Sequence, residues 1–128
     1  MGVTIGLLND LPVVTIEVIF KGRSHLLKNV LLDTGSAGTI LDADVVADIG
    51  VRPEGDDRTA ILHGIGGTEI VFTKWFDSVT LGDYSVEPCR VQIGAMDYGI
   101  DIQGIIGFDF MRAANLVIDS ADMQIYQK

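Results

Sequence analysis

The β signal dominates the chain. Val13-Val14-Thr15-Ile16-Glu17-Val18-Ile19-Phe20 is rich in β-branched residues and runs into a turn at Lys21-Gly22-Arg23, which predicts a hairpin. Its return strand spans Ser24 to Leu32 and ends in the apolar run Val30-Leu31-Leu32, which delivers the chain to Asp33. After a short strand at Thr39-Ile40-Leu41 the pattern changes. Asp42 is a natural N-cap, Val45, Val46 and Ile49 form an apolar stripe, and Gly50 suits a C′ position, so a short helix is predicted over 42–50. Residues 52–58 carry turn formers and charge without an apolar anchor and predict an exposed loop. Thr59-Ala60-Ile61-Leu62-His63 and Thr68-Glu69-Ile70-Val71-Phe72 flank Gly64-Ile65-Gly66-Gly67, the pattern of a hairpin with a glycine-rich tip. Two longer strands follow, Trp75 to Leu81 and Tyr84 to Ile93, joined at Gly82-Asp83. Gly104-Ile105-Ile106-Gly107, a helical turn around Phe108 to Arg112, and strands Asn115 to Asp119 and Met123 to Gln127 complete the chain. A faint internal repeat pairs Leu31-Leu32-Asp33 with Ile105-Ile106-Gly107.

Length and charge narrow the function classes. At 128 residues the chain fits a single domain over 1–128, long enough to bury roughly two thirds of its unfolded surface without a metal or disulfide staple. No apolar run approaches the roughly 20 residues of a membrane-spanning helix. A soluble protein is expected. The N-terminus lacks the basic start and small-residue cleavage site of a secretion signal, which points to the cytoplasm for a full chain and to a periplasmic or membrane-attached setting for a piece of a longer one. A net charge of −9, with the nine basic residues scattered, disfavours nucleic acid and anionic membranes as partners. Cys89 is the sole cysteine, so no internal disulfide or CxxC site is possible, and its expected role is that of a small semi-buried apolar residue. His25 and His63 are far apart in sequence and show no metal-ligand spacing, so neither metal nor cofactor is expected. No GxSxG is present, and Ser24 and Ser36 show no triad spacing. Trp75, Phe72 and Phe76 are expected to pack in the core or at the base of the glycine-tipped hairpin.

The chemistry-bearing segment is Asp33-Thr34-Gly35-Ser36, where an aspartate follows an apolar strand directly and Gly35-Ser36 allows the backbone to turn. Leu31-Leu32-Asp33-Thr34-Gly35-Ser36-Ala37 resembles the active-site loop of aspartic proteases. Gly104-Ile105-Ile106-Gly107-Phe108-Asp109-Phe110 resembles their apolar-apolar-Gly segment and following helix, here Ile105, Ile106 and Gly107. The order of elements is similar to the single-lobe, retroviral-like branch, with Gly107-Phe108-Asp109-Phe110-Met111 closer to its cellular and bacterial members. The resemblance implies an all-β fold, a closed barrel-like lobe with one or two short helices, and a flap formed by His63, Gly64, Ile65, Gly66 and Gly67. It also implies a homodimer acting on peptide or protein substrates.

That activity explains the residue types. Two carboxylates a few ångströms apart share one proton, so one draws a proton from water while the other polarises the scissile carbonyl; aspartic proteases are the standard case of such a dyad. One Asp-Thr-Gly per chain implies that Asp33 faces its own copy across a twofold axis. The resemblance gives Thr34 a brace to the partner's loop, Gly35 a close backbone approach, and Ser36 a bond near the outer oxygen of Asp33. Three other readings stand beside this one: Asp33 as an ordinary Asx turn, a dimer of the same fold that binds peptides without cutting them, and a glycosidase built on Asp97 and Asp101.

Overall fold

The computed structural model describes residues 2–64, 67–97 and 99–128, with backbone only at 62–64 and 67–69. Strands hold 53% of the residues and helices 11%, so the fold is all-β. The elements are β1 (Val3–Thr4), β2 (Gly6–Leu8), β3 (Leu11–Phe20), β4 (Arg23–Leu32), β5 (Ile40–Asp42) and α1 (Ala43–Val46), the last continued by a 3₁₀ turn over Ala47–Ile49. They continue with β6 (Thr59–Gly64), β7 (Gly67–Phe76), β8 (Ser78–Leu81), β9 (Tyr84–Val86), β10 (Cys89–Gly94), β11 (Gly104–Ile106), α2 (Phe108–Ala113), β12 (Leu116–Asp119) and β13 (Gln124–Gln127).

One sheet runs in the order β6-β7-β10-β5-β11-β4-β3-β8-β9, with β2 added beside β3. The expected closed barrel is not formed. Among the described residues β6 bonds only β7 and β9 only β8, so the sheet keeps two edges. Pro88, which has no N–H, interrupts the expected strand Tyr84 to Ile93 after Val86, so that β9 pairs with β8 while β10 pairs with β7 and β5. The expected strand Trp75 to Leu81 also breaks, at Asp77, whose carboxylate accepts from the N–H groups of Lys21 (3.3 Å) and Gly22 (2.8 Å) and ties the bend to the first hairpin turn. A second sheet, β1-β13-β12, joins the chain's own ends, with Val3 opposite Ile125.

The β3–β4 hairpin carries the core and sets its phase. Val14, Ile16, Val18 and Phe20 point inward along β3, facing Leu27, Val30 and Leu32 of β4. Ile16 pairs with Leu27 but Val14 pairs with Val30, so β4 holds one extra residue, with Asn29 in the left-handed region at φ 52°. A one-residue slip exchanges the faces of a strand. The bulge therefore keeps Leu27 buried near the turn while placing Val30 and Leu32 in the core just before Asp33. Each fully buried Val, Leu or Ile here is worth about 1.5–3 kcal/mol. Phe20 and Phe76 meet with ring centroids 5.1 Å apart.

Near the glycine-tipped hairpin one expectation changes. Phe76 is buried and Phe72 partly so, but Trp75 is 61% exposed. The exposed loop 52–58 has a polar anchor in place of an apolar one: the buried Lys74 ammonium reaches Glu54 at 2.6 Å and Asp57 at 2.9 Å. Burial pushes the Lys74 pKa down, but its bonds to the two carboxylates outweigh this and hold it above the usual lysine value.

Candidate active site

The site is built by one insertion in the sheet. β11 lies between β4 and β5, parallel to the first (Ile105 beside Leu31, Ile106 beside Leu32) and antiparallel to the second (Ile105 beside Ile40). The chain leaving β4 must therefore cross the end of β11 to enter β5. Residues 33–39 make that crossing, so Asp33 is held at a strand end and not on a free loop. The two segments of the faint repeat are the two that pair.

Hydrogen bonds fix the crossing. The Asp33 N–H extends the β4–β11 ladder by donating to Ile106 O at 3.0 Å. Ser36 N–H turns back to Asp33 O at 3.1 Å, and Gly35 N–H donates to Asp33 Oδ1 at 2.9 Å. The Asx-type turn is therefore real, and it orients the carboxylate. Asp33 is half-buried, and Thr34 and Gly35 are exposed. The Ser36 hydroxyl donates to Gly38 O at 2.8 Å, so it braces the loop and does not bond the Asp33 carboxylate as the resemblance implied.

Gly107 packs against this loop from the other side. A Cβ there would lie 2.4 Å from Gly38 O and 2.9 Å from Ser36 O, both backbone atoms, so only glycine allows the approach. Phe108 N–H, at the start of α2, donates to Ser36 O at 2.7 Å. Thr39 and Asp109, whose site role the sequence reading passed over, bond each other (Oγ1 to Oδ1, 2.8 Å) beneath this junction.

The two faces of β4, β11 and β5 differ. Leu32, Ile106 and Leu41 enter the main core. Leu31, Ile105 and Ile40 join a smaller cluster on the other face with Met96 and Ile102, edged by the partly buried Leu8 and Ile100. An apolar surface thus lies beside the strand end that holds Asp33. At the end of β5 away from the crossing, where its N–H bonds Gln103 O, Asp42 is raised above the usual carboxylate value, chiefly by burial and also by its acidic neighbours Asp44 and Asp101, against a lowering bond from the Asp44 N–H. Burial, with a smaller push from Asp109, lifts the Cys89 thiol to about 11, which removes it as a nucleophile.

Of the expected flap, His63 and Gly64 end β6 and Gly67 begins β7, with His63 opposite Thr68 and Gly64 opposite Gly67. Ile65 and Gly66 lie outside the described residues. The hairpin expected from sequence is therefore present up to its tip.

A family model described as aspartyl protease matches residues 16–110, from the middle of β3 into α2, so the match takes in the Asp33 loop, the β6–β7 hairpin and Gly107. No curated protein matches the chain.

Proposed function

We propose, from the premise that this chain belongs to the aspartyl protease family of retropepsin type, that it is an endopeptidase whose site forms when two copies each contribute Asp33. The observation that carries the reading is the crossing loop itself, which fixes one carboxylate at a strand end by backbone bonds and leaves it half-exposed. One such carboxylate is half of a dyad. Thr34 and Phe108 support a second copy at this surface: Thr34 is exposed, and Phe108, whose N–H bonds the loop, is 49% exposed.

In the dimer the two Asp33 carboxylates share a proton. The ionised one takes a proton from the water that attacks the peptide carbonyl, and the protonated one gives its proton to the carbonyl oxygen. Gly35 N–H then holds one oxygen of each Asp33 in place while the charge moves. The β6–β7 hairpin serves as a flap whose backbone groups bond an extended peptide. The partly exposed apolar side chains of Leu8, Leu31 and Ile100 receive those of the peptide.

The test is cleavage of a peptide library by wild type and Asp33→Asn from pH 4 to 7. Cleavage by the wild type and none by the variant is expected. Equal cleavage by both would overturn the proposal, and none by either would leave a peptide-binding module.

A further inference from the structure

We propose that Thr39 and Asp109 are positioning residues for Asp33, acting through the loop and not on the substrate. The inference rests on the reading of Asp33 as the catalytic carboxylate. Its evidence is a chain of bonds between residues 70 positions apart.

The Asp109 carboxylate accepts three hydrogen bonds. Thr39 N–H donates to Oδ2 at 3.2 Å, Thr39 Oγ1–H to Oδ1 at 2.8 Å, and Phe110 N–H to Oδ1 at 2.7 Å. An ionised carboxylate only accepts, so the single Thr39 hydroxyl proton is committed to it. The lone pairs of that hydroxyl are then left to accept Gly107 N–H, at 3.1 Å. Gly107 and Phe108 carry the first N–H groups of α2, which have no partner within a helix. One goes to Thr39 and the other to Ser36 O, and Ser36 N–H returns to Asp33 O. Thr39 is only 1% exposed, so water cannot replace these bonds without opening the junction.

The pattern distinguishes a carboxylate from its amide. Asparagine at 109 has one acceptor oxygen, and its NH₂ would face either the Thr39 N–H or the Thr39 hydroxyl together with Phe110 N–H. In the first case two donors meet. In the second two donors meet at Phe110 N–H, and the Thr39 hydroxyl proton is turned away from its acceptor.

The experiment compares Thr39→Val, Thr39→Ser and Asp109→Asn by residue-resolved amide exchange and by kcat and KM on a cleaved peptide. For Thr39→Val and Asp109→Asn, exchange at Ser36, Gly107 and Phe108 is expected to quicken roughly tenfold or more, with β3 amides unchanged. Their kcat should fall by roughly ten- to a hundredfold with KM within about twofold, because a small displacement of Asp33 costs rate more than binding. Thr39→Ser, which keeps the hydroxyl, should restore both readouts to within about threefold of wild type. Acceleration spread evenly over β3 and β4, with kcat per folded chain unchanged, would assign the pair a merely structural role and overturn the proposal. So would undisturbed exchange in the loop. If Asp109→Asn does not fold, the Thr39 pair decides. If the wild type shows no Asp33-dependent cleavage, the proposed function fails and the exchange readout alone decides whether the pair holds the loop.

Discussion

Replacing Gly107 by alanine puts a carbon 2.4 Å from Gly38 O, 2.6 Å from Gly38 C and 2.9 Å from Ser36 O. None of these atoms belongs to a side chain that can rotate away. Gly107 sits at φ −90° and ψ 179°, which alanine adopts freely, so the whole penalty is steric. Ordinary contact begins near 3.4 Å, so α2 and the Asp33 loop must part by about 1 Å. That displacement costs about 1–3 kcal/mol as overpacking. It also stretches the Phe108–Ser36 and Gly107–Thr39 bonds, each worth about 0.5–1.5 kcal/mol net. The sum is roughly 2–6 kcal/mol, which for a domain of this size lowers the melting temperature by roughly 6 °C or more. Urea unfolding should show a lower midpoint at an unchanged slope. Gly55→Ala is the control, since nothing lies within 4 Å of its added Cβ, and it should stay within about 0.5 kcal/mol of wild type. A Gly107→Ala protein that melts within about 2 °C of wild type would refute the packing on which the site rests.

Other outcomes follow from the same structure. Lys74 holds Glu54 and Asp57 below their ordinary values of 4.5 and 3.8, in each case chiefly through its hydrogen bond. A carboxylate depressed by folding contributes stability above its unfolded pKa and loses it as pH falls through the lower folded value. Wild type should therefore lose stability below about pH 4, and Lys74→Met should flatten that part of the pH profile; parallel profiles would sink the idea. Gly35→Ala, whose Cβ would meet Asp33 Oδ1 at 3.2 Å, should spare the melting temperature while lowering kcat, as measured by calorimetry beside peptide cleavage; unchanged kcat would argue against the Asx turn as the orienting bond. Cys89, 5% exposed and lifted to about 11, should resist iodoacetamide at pH 8 in the folded protein and react once urea unfolds it, whereas equal rates would contradict its burial.

Much of the fold is legible in local sequence because its signals are local. The β-branched run of β3 and the Lys21-Gly22 turn announce the first hairpin, and Asp42 and Gly50 mark the ends of the short helix, where Asp42 accepts from Asp44 N–H and Gly50 is left-handed at φ 89°. Asp33 is legible because an apolar strand running straight into Asp-Thr-Gly is uncommon. What escapes the reading depends on distant partners. The extra residue in β4 is balanced by Gln103, whose side chain accepts from Lys28 N–H and whose N–H donates to Asn29 O. Lys74 looks like a surface charge until Glu54 and Asp57, some twenty residues earlier, fold over it. The exposure of Trp75 and the open sheet edges likewise follow from which strands pair, and a strand's own sequence does not state its partner. Thr39 and Asp109 are polar residues of unremarkable spacing, joined only because β11 slides between β4 and β5.

The central claim, that catalysis needs one Asp33 from each of two chains, is tested most directly by mixing. Wild type is held at fixed concentration while Asp33→Asn chains are added, with sedimentation to confirm that mixed dimers form. If the two carboxylates act together, a mixed dimer is inactive, and cleavage falls toward zero as the variant captures wild-type chains. Cleavage that stays constant while mixed dimers accumulate would show that a single Asp33 suffices and would contradict the account.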